Sequence, residues 1–432
     1  MKKLLKILAI FGIGLLLFQS ASPAQSLPKE ALDNIPGENL KFLDEVFSVI
    51  KKHFYDKEFS GLDLDKLKDD HKDSVMNAKT NLELHQAVNE MIAKFKVSHF
   101  AVIEKQIYQG IENERTNTLA PEFGFKLRKI DKKYFATRFS EGGAAEKAGL
   151  KYGDEIIRVN GVAVADSDMM IDNGNDVGIP GPEFYVLKAA KDETVKLEIR
   201  RTKDSKTLNI KITAVDYNET KSTENSVKII EKDGKKIAYM HAWHFLTRKI
   251  ADIFHEAIDD EFADCDALML DVRGHGGSPL VIQMFLASFT EVQQNFRNRT
   301  PKWDKPLVVL TDEGTRSAKE IFANAVHRDK LGTLVGRQTQ GAVLGSNFYP
   351  LSDGSALIIP VVEGSRYTRD GKVLEGNGVD PDIVVPLQIE YADGVDEIYE
   401  RGLKEAIALL SKKVDEPEKK SENKDESAES DF

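Results

Sequence analysis

Leu307-Val308-Val309-Leu310-Thr311-Asp312-Glu313-Gly314-Thr315-Arg316-Ser317-Ala318-Lys319-Glu320-Ile321 reads as a buried strand, a turn and a helix that begins at Ser317. A serine at that corner sits at the positive end of a helix dipole with unused backbone N–H groups beside it, where a nucleophile and an oxyanion hole can be built together. The same residues also spell Ser-x-x-Glu, since Glu320 follows three positions on, which is the signature of a capping box. Taken alone, the local sequence does not separate the two roles.

Working outward, the flanking residues alternate strand and helix. Lys236-Ile237-Ala238-Tyr239-Met240 reads as a strand, Ile250 to Ile258 as a helix, Ala267-Leu268-Met269-Leu270-Asp271-Val272 as a strand and Leu280 to Phe289 as a helix. That order implies an α/β core, a mixed sheet with covering helices. The strand at 267–272 runs into Arg273-Gly274-His275-Gly276-Gly277-Ser278, a glycine turn suited to bringing backbone N–H groups close to a developing oxyanion. Beyond the core helix, Asp370-Gly371-Lys372-Val373-Leu374-Glu375-Gly376-Asn377-Gly378-Val379-Asp380-Pro381-Asp382-Ile383 is turn-rich with Glu375 at its centre.

Upstream the periodicity changes twice. From Pro28 to about Val97 apolar residues return at spacings of three and four, as in Leu40, Phe42, Leu43, Val46, Phe47 and Ile50, and again in Leu84, Val88, Met91 and Ile92, which predicts helices. Val97-Ser98-His99-Phe100-Ala101-Val102-Ile103 then reads as extended. From about Leu119 to Val215, short alternating runs separated by glycine turns predict a small β-rich domain. Within it, Gly142 to Ile157 followed by Val159-Asn160-Gly161 resembles a PDZ domain. That resemblance implies peptide binding by strand addition at a sheet edge, with the loop residues Phe123, Gly124 and Phe125 holding a terminal carboxylate.

The ends carry their own signals. Lys2, Lys3 and Lys6 precede an apolar run from Ile7 to Phe18, then Ser22-Pro23-Ala24, which predicts a signal peptide cleaved after Ala24. The run is shorter than the roughly 20 residues needed to cross a bilayer, so stable membrane insertion after cleavage is not expected. From Lys412 the chain mixes Lys, Glu, Asp and Ser and is expected to be disordered. The predicted organisation is therefore signal peptide 1–24, helical domain 25–115, PDZ-like domain 116–216, α/β core 217–411 and acidic tail 412–432. A net charge of -11 without a basic face argues against nucleic acid. Cys265 is the only cysteine, which excludes an internal disulfide.

With the strand-turn-helix corner, the glycine turn, the Glu375 stretch and the PDZ-like segment together, the chain resembles the C-terminal processing peptidase family of serine proteases. One branch of that family uses a lysine base in the motif matching Gly336-Arg337-Gln338-Thr339-Gln340-Gly341-Ala342. Ala342 stands at the lysine position and cannot accept a proton, so a Ser/Lys dyad is excluded. The tricorn branch uses Ser, His and Glu, and Val97-Ser98-His99 and Glu375-Gly376-Asn377-Gly378-Val379-Asp380-Pro381-Asp382 match its histidine and glutamate motifs.

The resemblance thus implies Ser317 as nucleophile, His99 as base, and Glu375 with Ser98 as the relay that orients the ring. Gly276 or Gly277 with Ala318 would form the oxyanion hole. His275 stands where the family more often has asparagine and is a candidate substitute base. His241 and His244, three apart, form a weak zinc pattern, and the reading calls for no metal or cofactor. The implied activity is an exported, periplasmic or extracellular endopeptidase acting on extended or unfolded polypeptides, with their C-termini as a handle and an oligomer left open. The alternative is an inactive relative that serves as a PDZ-based peptide-binding scaffold.

Overall fold

The computed structural model describes residues 36–172, 179, 181–290, 302–364 and 368–415. The predicted signal peptide lies outside the described residues, as does the tail beyond Asp415.

The first unit is helical: α1 (Pro36–His53), α2 (Leu64–Met76) and α3 (Asn81–Ile92), then strand β1 (Ala101–Ile103) and α4 (Lys105–Thr116). The three-and-four spacing read in the sequence becomes the buried face of α1, where Phe42, Leu43, Val46, Phe47 and Ile50 meet Leu84, Val88, Met91 and Ile92 of α3. Asp63 and Thr80 cap α2 and α3 through their side-chain oxygens. Only 101–103 of the expected extended segment is strand. Ser98 and His99 lie in the bend before it, His99 with a positive φ of 54°.

The second unit contains β2 (Ala120–Glu122), β3 (Phe125–Ile130), β4 (Lys133–Phe139), α5 (Ala144–Lys147), β5 (Glu155–Val159), β6 (Val162–Ala163), β7 (Met170–Asp172), β8 (Phe184–Leu187), β9 (Thr194–Arg200), β10 (Leu208–Thr213) and β11 (Val215–Tyr217). Its main sheet runs β10-β9-β5-β4-β3-β8-β7, and its apolar core includes Leu127, Ala136, Ile156, Leu197 and Ile199.

The third unit carries the core sheet. In chain order it comprises α6 (Glu219–Ser226), β12 (Lys228–Lys232), β13 (Lys235–His241), α7 (Arg248–Asp259), β14 (Ala267–Asp271), α8 (Pro279–Ala287), β15 (Leu307–Thr311), α9 (Ala318–Arg328), β16 (Thr333–Gly336), β17 (Gly345–Pro350), β18 (Ala356–Val362), β19 (Ile383–Val384) and α10 (Glu397–Asp415). The sheet order is β12-β13-β14-β15-β16-β19, parallel from β13 to β19 with β12 antiparallel at one edge.

Alternation decides which layer each strand residue serves. Leu268, Leu270 and Val309 face α7, α8 and α9, whereas Met269, Val308 and Leu310 face α10. The tail expectation needs one correction: α10 continues past Lys412 to Asp415. A helix nucleated by packed residues such as Ile398, Leu403 and Ala406 extends into the adjoining residues at little further cost.

One sheet ties the first unit to the third. β1 pairs with β18, which pairs with β17, so the bend carrying Ser98 and His99 is delivered to the core by strand pairing. The turns after β14 and β15 lie at the carboxyl ends of parallel strands, where open α/β sheets build their sites.

Candidate active site

Ser317 occupies the corner between β15 and α9 with φ 57° and ψ -125°. A residue with a side chain adopts such a backbone only when its surroundings hold it there. Here its N–H donates to the Ala342 carbonyl at 2.8 Å and to Glu320 Oε2 at 3.1 Å. Glu320 is fully buried and also accepts from the Thr339 hydroxyl at 2.6 Å and from the N–H groups of Gly341 at 2.6 Å and Ala342 at 2.8 Å. Burial pushes its pKa up to about 7, against the pull of these donors. The Ser-x-x-Glu spacing therefore does structural work through Glu320, which braces the corner and the 339–342 segment together.

The expected oxyanion groups gather on the same side. A Cβ on Gly276 would come within 2.4 Å of Ser317 Cβ, so only glycine permits this approach. Gly277 lies against Phe245, with which it forms a parallel bridge. Among the described residues, no group accepts from the N–H of Gly276, Gly277 or Ala318. Three main-chain donors thus remain available near one serine.

Ser98, His99 and Glu375 come together by hydrogen bonding. Glu375 Oε1 accepts from Ser98 N–H at 2.8 Å, and Oε2 accepts from the Ser98 hydroxyl at 3.0 Å and from Val343 N–H at 2.9 Å. Ser98 Oγ lies 2.9 Å from His99 Nδ1. An ionised Glu375 only accepts, so the single Ser98 proton goes to it and Oγ must accept from Nδ1–H. That leaves the lone pair of neutral His99 on Nε2. Ala342 and Val343 are consecutive, so one short segment joins Ser317 to Glu375 and through it to His99. Ala342 itself is fully buried and serves through its backbone.

The β-rich unit reaches this site directly. Arg138 on β4 pairs with Asp312 at 2.7 Å, in the turn before Ser317, and Arg128 on β3 pairs with Glu313. Burial works against the Asp312 charge, but the guanidiniums of Arg138, Arg273 and Arg337 outweigh it and hold the pKa at about 2. Phe184 of β8 lies under both arginines, its ring centre 4.5 Å from Arg138 and 5.6 Å from Arg128.

Downstream of Phe123, Gly124 and Phe125, β8 pairs with β3 at Leu127↔Tyr185 and Arg128↔Phe184 and covers that part of the β3 edge. An unpaired edge would leave a row of backbone groups without partners, and β8 supplies them.

The sequence reading missed Lys319. It is fully buried, and its Nζ donates to the carbonyls of Trp243 at 2.7 Å and Arg273 at 3.2 Å, pinning the two loops that flank the corner. Burial brings its pKa down to about 7. The available signal was a lysine inside a helix whose neighbours Ala318, Ile321 and Phe322 are all core residues.

His241 and His244 do not share a ligand. His241 Nδ1 meets Glu141 at 2.9 Å, while His244 Nδ1 accepts from Leu246 N–H at 3.2 Å. The proton of neutral His244 is then on Nε2, 3.3 Å from Glu114 Oε2. Glu114, Glu219 and His244 bring three ligand atoms within 4.8 Å of one another. Glu219 Oε1 is paired with Lys126 Nζ at 2.8 Å, His244 Nε2 also lies 3.3 Å from the Thr220 hydroxyl, and Glu114 Oε2 has no hydrogen-bond partner among the described residues.

A strained serine at a strand-to-helix corner, with unused N–H groups and a histidine relay on the adjoining segment, is the constellation of a serine peptidase. Residues 236–385 match the family model of Peptidase family S41, residues 117–170 a PDZ domain and residues 38–93 the tricorn protease C1 domain. The chain is a serine-type peptidase carrying an S41 domain, a PDZ domain and a tricorn C1 domain.

It is 25% identical over 334 residues to a carboxyl-terminal-processing protease of a Picosynechococcus species, covering 73% of this chain and 76% of that one. It is 24% identical to the carboxy-terminal processing protease CtpB of Bacillus subtilis, over 76% of this chain and 69% of the relative. To the tricorn protease of Thermoplasma volcanium it is 23% identical over 90% of this chain and 38% of the relative. Among solved structures, mature CPAF complexed with lactacystin aligns with a TM-score of 0.55 at 13% identity, over 88% of this chain and 99% of that one. The tricorn protease aligns at 0.51 and 18%, over 87% of this chain and 37% of that one. These two agree with the α/β core plus helical and PDZ units read from the sequence.

Proposed function

We propose that the chain is an exported endopeptidase that cleaves extended polypeptides by acyl transfer at Ser317, using a Ser317, His99 and Glu375 site. The observation that carries this reading is the Glu375–Ser98–His99 relay, because its hydrogen-bond directions leave the basic nitrogen of His99 on Nε2.

In the first step Ser317 Oγ attacks the scissile carbonyl carbon while His99 Nε2 takes its proton. The negative oxygen that develops is received by the N–H groups of Gly276 or Gly277 and Ala318. The C–N bond then breaks, His99 gives its proton to the departing amine, and an ester to Ser317 remains. Water attacks that ester with His99 again as base, releasing a carboxylic acid and restoring the hydroxyl. Glu375, through Ser98, stabilises the imidazolium formed in both halves.

The substrate reading rests on the PDZ unit and on the names of the relatives, which point to polypeptide C-termini. Because β8 covers the β3 edge at Leu127 and Arg128, strand addition over those two residues requires β8 to yield. Export rests on residues 1–24, and N-terminal sequencing of protein recovered outside the cytoplasm should begin at Gln25. Among the described residues no helix is long and apolar enough to cross a membrane.

The nucleophile is tested by comparing wild type with Ser317→Ala on an unfolded polypeptide, together with covalent labelling by a fluorophosphonate. Cleavage should fall by about three orders of magnitude or more and labelling should vanish. Equal cleavage by the two proteins would remove Ser317 from the mechanism, and a wild type that binds peptide but neither cleaves nor labels would be a scaffold.

A further inference from the structure

His275 is the residue of the glycine turn that the mechanism does not use. Its Nε2 lies 2.7 Å from Lys126 Nζ on β3, and Lys126 also pairs with Glu219 Oε1 on α6 at 2.8 Å while lying 5.6 Å from the Trp243 ring centre. A lysine ammonium can only donate, so Nε2 must be the acceptor and the ring proton must sit on Nδ1. With its useful lone pair engaged, His275 is not a substitute base. Its side chain is 40% exposed and no described group accepts from Nδ1. The ring stands immediately before Gly276, which lies against Ser317.

We propose that His275 is a neutral hydrogen-bond donor that presents Nδ1–H to a main-chain carbonyl of the polypeptide substrate beside the scissile bond, with Lys126 fixing its tautomer. This inference rests on the reading of Ser317 as nucleophile. A backbone carbonyl is the acceptor every polypeptide offers, so the contact favours an extended chain without demanding a side chain.

The charges around the ring favour this state. Lys126 on β3 opposes protonation most strongly, and Arg138 on β4 and Arg316 in the nucleophile turn act the same way, while Glu219 on α6 opposes them. The β-rich unit thereby sets the hydrogen-bonding state of a residue in the oxyanion turn.

The test has a spectroscopic arm and a kinetic arm. Nitrogen-15 NMR of imidazole-labelled full-length protein between pH 5 and 8 should show His275 protonated at Nδ1 and unprotonated at Nε2 throughout. In Lys126→Met the same ring should begin to titrate within that range. A wild-type ring that is protonated at Nε2, or that is an imidazolium at pH 7, overturns the proposal whether or not Ser317 is the nucleophile.

In the kinetic arm, His275→Phe should lower kcat/KM about 10- to 100-fold, and His275→Asn, which retains an N–H donor, should recover most of it. Thermal unfolding of each variant identifies a collapsed turn. A well-folded Phe variant with unchanged kcat/KM, or Asn and Phe variants equally impaired, rules out the donor role. Loss of the Ser317 reading would instead leave Ser317→Ala active, an independent result.

Discussion

At the scale of single residues, the relay at Ser98 turns on which atom holds one proton. Ser98 Oγ lies 3.0 Å from Glu375 and 2.9 Å from His99, and its hydroxyl can donate only once. With His99 as the proposed base, Ser98→Ala should lower kcat about 100-fold with KM within roughly threefold, since the ring loses its orienting partner and the substrate contacts stay. Glu375→Ala should cost more, because Ser98 N–H and Val343 N–H lose their acceptor as well. Steady-state kinetics on one peptide decides it, and unchanged kcat in both variants would remove the relay. Ser317, His99 and Glu375 were legible because they sit in motifs whose spacing resembles a known family. Lys319 and Lys126 were not, because what they do depends on carbonyls and rings contributed by distant segments.

At the scale of elements, β8 is where sequence and structure part. The PDZ resemblance implied a free edge beside β3, yet Phe184 and Tyr185 of β8 pair with it at Arg128 and Leu127, which places Phe184 against Arg128 and Arg138. Short runs rich in Val, Tyr and Phe show that a strand can form there, but strand partners lie far apart in sequence and carry no local mark. If peptide capture uses the β3 edge, Tyr185→Pro should help it. Proline removes a ladder N–H and weakens β8 by ~1 kcal/mol or more, so a peptide ending in an apolar residue should bind about fivefold or more tightly, read by fluorescence anisotropy. Unaltered affinity would mean that peptides dock elsewhere. The β15-to-α9 corner behaved differently, for its apolar strand, glycine turn and helix start are contiguous and so could be read directly.

At the scale of the whole molecule, the helical unit must stay docked on the core for His99 to be in place. His85 on α3 is one fastening: its Nδ1 meets Glu104 at 2.7 Å, just before α4, and its Nε2 meets Asp353 at 2.6 Å, in the turn between β17 and β18. Burial opposes a charge on this ring, but Asp353 and Glu104 outweigh it and lift the pKa to about 9. A histidine pKa raised above its unfolded value of about 6.5 contributes stability that is complete below that pH and is lost as pH rises through about 9. The contribution corresponds to about 3 kcal/mol. Urea unfolding across pH 6 to 9.5 should show the wild type losing that much more than His85→Gln, and parallel profiles would show that the pair does not fasten the units.

What the sequence determined by itself was everything set by neighbouring residues. That comprises the helical periodicity of 36–53 and 81–92, the alternating runs of the PDZ unit, the buried strands at 267–271 and 307–311, and the corner at Ser317. The tertiary structure alone decided which distant groups share protons and edges. It set the direction of the Glu375–Ser98–His99 hydrogen bonds, the burial of Lys319 and the pairing of β8 with part of the β3 edge. The physical reason is that periodicity and turn chemistry act over a few residues, whereas proton placement and strand pairing depend on groups that meet only when the three units pack.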